Sequence, residues 1–231
     1  MTAPQKASVL ISVPTHDGRC EVGLAMSLLD ATREHKISVQ HCRSSLLAYG
    51  FNQLWVNAVQ SRPGVTHFAM VHADIVPEAR WLDKMLRLMR EKGADILSAV
   101  APIKDGSGDT STALDEPLRP RRLPYAEICR RWQATWTDPL LLVNTGLMLV
   151  DLSWPGVDKV WFTIADRIDW SSGEPHIGVL PEDWGFSRMA RQHGAKIWAT
   201  REIALTHYGT VGHRNQVREE IPAIDSRAET R

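Results

Sequence analysis

The sequence predicts an α/β fold, a single Rossmann-like domain whose mostly parallel central sheet is flanked by helices, and three observations predict it. Short apolar runs alternate with helix-period segments through the first hundred residues. Turn-forming residues punctuate them where strands should hand over to helices. The chain has 231 residues, with 43% hydrophobic and 23% charged, enough for one large packed domain. Lys plus Arg and Asp plus Glu number 27 each, so no global field recruits nucleic acid or an anionic membrane. Three cysteines fit no zinc spacing and, being odd in number, no closed disulfide framework. Met1 to Ala7 lacks a signal-like apolar core. The most apolar stretch, Leu140 to Leu152, is too short to span a bilayer. A cytoplasmic protein without membrane insertion is expected. Of the nine tryptophans, some are expected to line a groove, although packing is their default role.

The elements follow in order. Ala7 to Val13 reads as a buried strand ending at Pro14, and Pro14 to Gly18 as a loop. Glu21 to Thr32 has helical spacing, Ile37 and Val39 alternate as a strand does, and Ser44 to Gln60 is a helix. Thr66 to Val71 is a strand, Pro77 and Glu78 open a helix through Glu91 with Gly93 as its cap, and Asp95 to Ala101 is a strand again. Residues 102 to 139 begin with Gly, Ser, Asp, Pro and Arg and few large apolar side chains, which predicts a mobile loop. Apolar runs flank Asn144-Thr145-Gly146. Glu182 to His193 is a helix, Ala195 to Ala199 a strand, and residues 217 to 231 a charged tail.

Three constellations carry chemistry. His72-Ala73-Asp74 stands between a strand and a helix, where ligands meet open α/β sheets. Two residues apart on an extended segment, His72 and Asp74 point the same way and suit Mg²⁺ or Mn²⁺. Asp74 is equally suited to cap a helix before Pro77, and spacing alone favours that role. Glu182 and Asp183 open a helix whose dipole favours their ionised forms. There they are a candidate base, or simply well-placed charges. His207, after a strand and beside Gly209, is a candidate metal ligand, though a lone histidine is more often structural.

The order of these signals resembles the GT-A fold glycosyltransferases, especially the family 2-like group, over roughly residues 8 to 213. Val13-Pro14-Thr15-His16-Asp17 is similar to that family's nucleotide loop, and His72-Ala73-Asp74 to its Asp-x-Asp. Asn144-Thr145-Gly146 is similar to its Asn-x-Gly, Pro181 to Phe186 to its Glu-Asp helix start, and His207-Tyr208-Gly209 to its late histidine. Two positions depart: His72 replaces the first aspartate, and Phe51-Asn52 stands where relatives carry Arg-Asn.

The resemblance implies a 1–216 catalytic domain, with a nucleotide-binding half at 1–101 and an acceptor and catalytic half at 140–216. It implies a metal held by Asp74 and His207, and donor contacts from Pro14, Thr15, His16, Asp17, Asn52, His72, Ala73, Asn144 and Gly146. Asp183, with neighbouring Glu182, would be the base of an inverting transfer. The implied partners are a nucleotide-sugar donor, a UDP-sugar favoured, and an acceptor hydroxyl on a carbohydrate or a nucleic acid. Arg119, Arg121, Arg122, Arg130 and Arg131, near Trp132 and Trp136, are either part of an acceptor lid or a solvated face. Two other readings stand beside this one. A metal-dependent hydrolase would use His16, Asp17, His72, Asp74, His207 and His213. A non-catalytic nucleotide-sugar-binding protein would need no base.

Overall fold

Strand β1 (Ser8–Thr15) is buried along its whole length except at its two ends, as an apolar run inside a parallel sheet must be. In the computed structural model, which describes residues 7–31, 35–117, 119–170, 173–209 and 212–215, the first half follows as α1 (Val22–Ala31), β2 (Lys36–Arg43), α2 (Leu47–Gln60), β3 (His67–Val71), β4 (Ile75–Pro77), α3 (Trp81–Lys92) and β5 (Ile96–Ala99). The second half runs β6 (Asp109–Leu114), β7 (Arg121–Pro124), α4 (Tyr125–Arg131), β8 (Thr135–Trp136), β9 (Leu141–Leu142) and β10 (Leu147–Asp151). It ends with a 3₁₀ turn at Val157–Lys159, then β11 (Ala165–Asp169), β12 (His176–Leu180), α5 (Glu182–Gln192), β13 (Ile197–Thr200), β14 (Leu205–Tyr208) and β15 (Gly212–Arg214).

The central sheet has the order β2-β1-β3-β10-β5-β13-β8. Strands β1, β2, β3, β5 and β13 share one direction; β10 and β8 run against it. This is the mostly parallel, GT-A-like α/β architecture expected from the sequence. The period of two along each strand divides the core into two layers. Leu10, Phe68, Met70, Met148 and Val150 face α2 and α5, packing on Phe51, Leu54, Trp55 and Phe186. Val9, Ile11, Ala69, Val71, Leu147 and Leu149 face α1 and α3, packing on Leu24, Trp81, Leu82 and Met85. Phe162 and Phe186 stack at 4.5 Å, and the Trp55 ring meets each edge-on. Each such pair adds about 0.5–1.5 kcal/mol beyond its buried area.

Two expectations change. The stretch 102–139, predicted to be a mobile loop, contains β6, β7, α4 and β8. The β-branched Thr110 and Thr112 are fully buried, and Thr110 Oγ1 donates to the Leu123 carbonyl at 2.7 Å, so polar composition hid a hairpin. Helix α3 starts at Trp81 and not at Pro77, because residues 75–77 pair with β14. Its far end is as expected: Gly93 adopts φ 59 and the Ala94 N–H closes on the Met89 carbonyl at 2.9 Å, a left-handed cap that glycine adopts at little cost. The tail at 217–231 lies outside the described residues. Among the described residues no helix is long and apolar enough to cross a membrane.

Candidate functional site

The carboxyl ends of β1, β2 and β3 leave a cleft of about 680 Å³, lined by Pro14, Thr15, His16, Asp17, His72, Ala73 and Asp74 together with residues from the 19–21, 42–45 and 47–51 segments. Ligands meet parallel sheets at such an edge because the loops diverge there. The 15–19 loop is shaped by its own side chains. Thr15 Oγ1 accepts the Gly18 N–H at 2.6 Å, and Asp17 Oδ1 accepts the Arg19 N–H at 3.0 Å. Gly18 takes φ 87. The Glu21 N–H donates to the Ala73 carbonyl at 2.8 Å, and the Ser44 N–H to the Thr15 carbonyl at 3.0 Å. These bonds tie the loop to the cleft's other walls. No tryptophan is among the lining residues; Trp55, Trp81, Trp136, Trp154 and Trp184 are buried.

Asp74 and His207 are 133 positions apart in the chain, and the β4·β14 pairing brings them together. The antiparallel register sets His207 opposite Ile75, and the Tyr208 N–H donates to the Asp74 carbonyl at 2.8 Å. His207 Nε2 then lies 3.6 Å from Asp74 Oδ2. The other ring nitrogen, Nδ1, bonds the Pro102 carbonyl at 2.7 Å. A carbonyl can only accept, so Nδ1 carries a proton and Nε2 is the nitrogen turned toward the carboxylate, the one that could offer a lone pair to a cation. That arrangement fits a cation ligand, whose second nitrogen is ordinarily held by just such a partner. Lys104 Nζ reaches the same Asp74 Oδ2 at 2.6 Å. Burial alone would raise the Asp74 pKa, but His207 and Lys104 hold the carboxyl far below the ordinary carboxylate range.

His72 does not share an extended face with Asp74. The chain turns there, with the Ile75 N–H donating to the His72 carbonyl at 3.0 Å. The ring packs at 5.2 Å from Phe51, and Nε2 bonds Thr145 Oγ1 at 3.0 Å. Burial lowers its pKa to about 4, so it is neutral at physiological pH.

Three expected donor contacts are occupied elsewhere. Asn52 brackets the Phe162 backbone, donating to its carbonyl at 2.7 Å and accepting its N–H at 2.8 Å. Asn144 is buried, donating to the Ala99 carbonyl and accepting the Gly146 N–H. At Gly146 a Cβ would come within 2.5 Å of Ile75 Cδ1, so the glycine permits close packing under the cleft. Thr145, between them, was not singled out from the sequence; a small β-branched residue inside an apolar run gives no signal.

Glu182 and Asp183 are outside the cleft lining, but the hydrogen-bonded segment 143–146 reaches their helix turn. Ser187 Oγ donates to the Asp183 carbonyl at 2.9 Å and accepts the Val143 N–H at 3.1 Å. Trp184 Nε1 donates to the Ser111 carbonyl, and the Arg122 guanidinium lies 4.9 Å over the Trp184 ring. The dipole argument for ionised carboxylates is overturned here. Burial, then the Glu182 charge, pushes Asp183 up to about 8 against the Trp184 N–H and Arg122. Burial also raises Glu182. The six-residue hydrolase set does not assemble either: among the described residues no group of three or more His, Cys, Asp or Glu side chains could hold a metal ion.

No family model matches the sequence, and no curated protein matches it. Solved structures are similar to it. The A197 protein from STIV is 11% identical, with 87% of this chain and 86% of that chain covered at a TM-score of 0.55. The S. aureus TarS 1-349 segment in complex with UDP-GlcNAc is 12% identical at a TM-score of 0.43, with 84% of this chain and 56% of that chain covered. The same TarS segment in complex with UDP is 13% identical at a TM-score of 0.42. This chain thus spans little more than half of the TarS segment.

Proposed function

We propose that the protein is a nucleotide-sugar-dependent glycosyltransferase that moves a sugar from a donor, a UDP-sugar favoured, to an acceptor hydroxyl. The observation that carries this is Asp74 in the cleft, paired with His207, whose Nδ1 is held on the Pro102 carbonyl so that one carboxylate oxygen and one ring nitrogen converge. An oxygen with an imidazole nitrogen suits Mn²⁺ or Mg²⁺, Mn²⁺ better. With only two protein ligands, phosphate oxygens of the donor would complete the shell. Such a cation, when bound, offsets charge on a departing diphosphate.

The chain's own residues would do the rest. The 14–17 loop and the 72–74 turn hold the nucleoside and its phosphates in the cleft. As the acceptor oxygen bonds to the anomeric carbon and the bond to the diphosphate breaks, the acceptor proton would pass to Asp183, which lies outside the donor cleft's lining on the helix turn that Ser187 joins to Val143. A carboxylate raised toward 8 is a stronger base than an ordinary one, at the cost of being largely protonated at neutral pH. Inversion follows from a single displacement of this kind. Arg122, whose charge acts on Asp183 and which lies over the Trp184 ring, would meet the acceptor, a carbohydrate or a nucleic acid.

The test is a thermal-shift panel of UDP-, GDP-, CDP- and TDP-sugars with and without Mn²⁺. One nucleotide should raise Tm in a metal-dependent way, by about 2.7 kcal/mol of added stability at a hundredfold excess over Kd. Asp74→Ala should abolish that gain. If Asp74→Ala binds UDP with Mn²⁺ as well as the parent does, the site is wrongly assigned. Phosphoester turnover without a nucleotide sugar would favour a hydrolase, and donor binding with no turnover would favour a binding protein.

A further inference from the structure

Lys104 stands in no motif. The turn that carries it leads into β6 through Gly106 and Gly108, both at positive φ, and is anchored by the Ile103 N–H on the Asp109 carbonyl at 3.0 Å. The side chain crosses Gly209, where a Cβ would lie 3.3 Å from Lys104 Cδ and 3.4 Å from Cβ. A larger residue at 209 would press on that path. The ammonium ends on Asp74 Oδ2, the oxygen that also faces His207 Nε2. Lys104 and Asp74 side chains are each 37% exposed, so solvent and ligands reach both.

We propose that Lys104 is a donor-site residue that shares Asp74 with the incoming cation: it neutralises the carboxylate in the free protein, then yields Oδ2 and places its ammonium on the donor's diphosphate. This rests on the glycosyltransferase reading of the same cleft. One carboxylate oxygen cannot be a close partner of an ammonium and an inner ligand of a divalent cation without strong repulsion between the two cations. The lysine stem is flexible and its head a compact point charge, well suited to follow phosphate over a short distance. Free protein therefore binds cation weakly, and cation with diphosphate binds better than either alone. Lys104 thereby couples the two ligands.

The experiment measures Mn²⁺ binding to the full chain by electron paramagnetic resonance, and UDP binding at saturating Mn²⁺ by calorimetry. Lys104→Gln should tighten Mn²⁺ alone by about tenfold, because the competing charge is gone. It should weaken UDP by about tenfold or more, because a charge-assisted phosphate contact is lost. Lys104→Arg should restore much of the UDP affinity. If Lys104→Gln leaves either affinity unchanged, the proposal fails. Asp74→Asn separates the two levels. If it loses Mn²⁺ while Lys104→Gln matches the parent, only the role of Lys104 falls. If Asp74→Asn binds Mn²⁺ like the parent, the cation site and the role of Lys104 fall together.

Discussion

Asp74, in the turn between β3 and β4, and Asp183, in the first turn of α5, are two carboxylates that burial pushes the same way and that end at opposite extremes. Burial disfavours the charge on both. Asp74 has Lys104 and His207 within reach and stays ionised. Asp183 has Glu182 beside it and rises to about 8. Depth and partners act together: burial is the largest cause of the Asp183 rise, with Glu182 second, whereas the partly exposed Asp74 has two basic partners that outweigh its burial. A site that needs a permanent anion and a proton acceptor can obtain both from one residue type by placing them in such contrasting surroundings.

The largest effect that tests this contrast is on turnover. Asp183→Asn should lower kcat by about 10²–10⁴-fold with donor Kd unchanged, the scale of a lost general base. In the parent, kcat/KM should rise with pH as Asp183 deprotonates through about 8, and the variant should lack that limb. Stability should move the other way. The folded protein holds the Asp183 proton more tightly than the unfolded chain does, so this group's stabilisation is lost as pH rises from the ordinary carboxylate range through about 8. Asp183→Asn should therefore raise Tm relative to the parent above pH 8 and change it least in acid. A parent pH profile with no limb near 8, or a variant with parental kcat, would remove Asp183 from the chemistry.

An amide sharpens the same lesson at smaller magnitude. Asn52 bonds both polar groups of the Phe162 backbone. Asn52→Ala should cost about 2 kcal/mol by leaving them unpaired, seen in denaturant melts, with UDP affinity unaltered. A large loss of UDP affinity without loss of stability would return the amide to the donor site.

What the sequence made legible divides along the same line. The apolar runs of β1, β3 and β5 and the amphipathic α2 and α3 are local patterns, and the structure forms each of them, with α3 beginning four residues later than read. The loop at 14–17 and the 72–74 turn share one cleft for a local reason too, since both follow parallel strands of one sheet. The meeting of Asp74 with His207 rests on β4, a three-residue strand containing Pro77, which pairs with β14 around residue 206. Residue types hinted at that meeting, but no local period could place it. The roles of Asn52, Thr145 and Lys104 depend on chain segments at least thirty residues away. Nor can a helix-dipole argument foresee that Asp183 is buried beside a second carboxylate.

The smallest expected effect is the most selective. Glu182 is the second cause of the Asp183 shift, after burial. Glu182→Gln removes that charge and leaves the burial, so the limb near 8 should move down by up to about one unit, the usual reach of one neighbouring like charge. Turnover at neutral pH should then rise slightly, because more of the base is unprotonated. A limb that stays in place would make burial alone responsible, and Asp183 would owe nothing to its acidic neighbour. A limb that moves up would mean that Glu182 acts mainly through hydrogen bonding, with its negative charge secondary. Only the downward shift fits two carboxylates repelling each other where burial keeps both poorly hydrated.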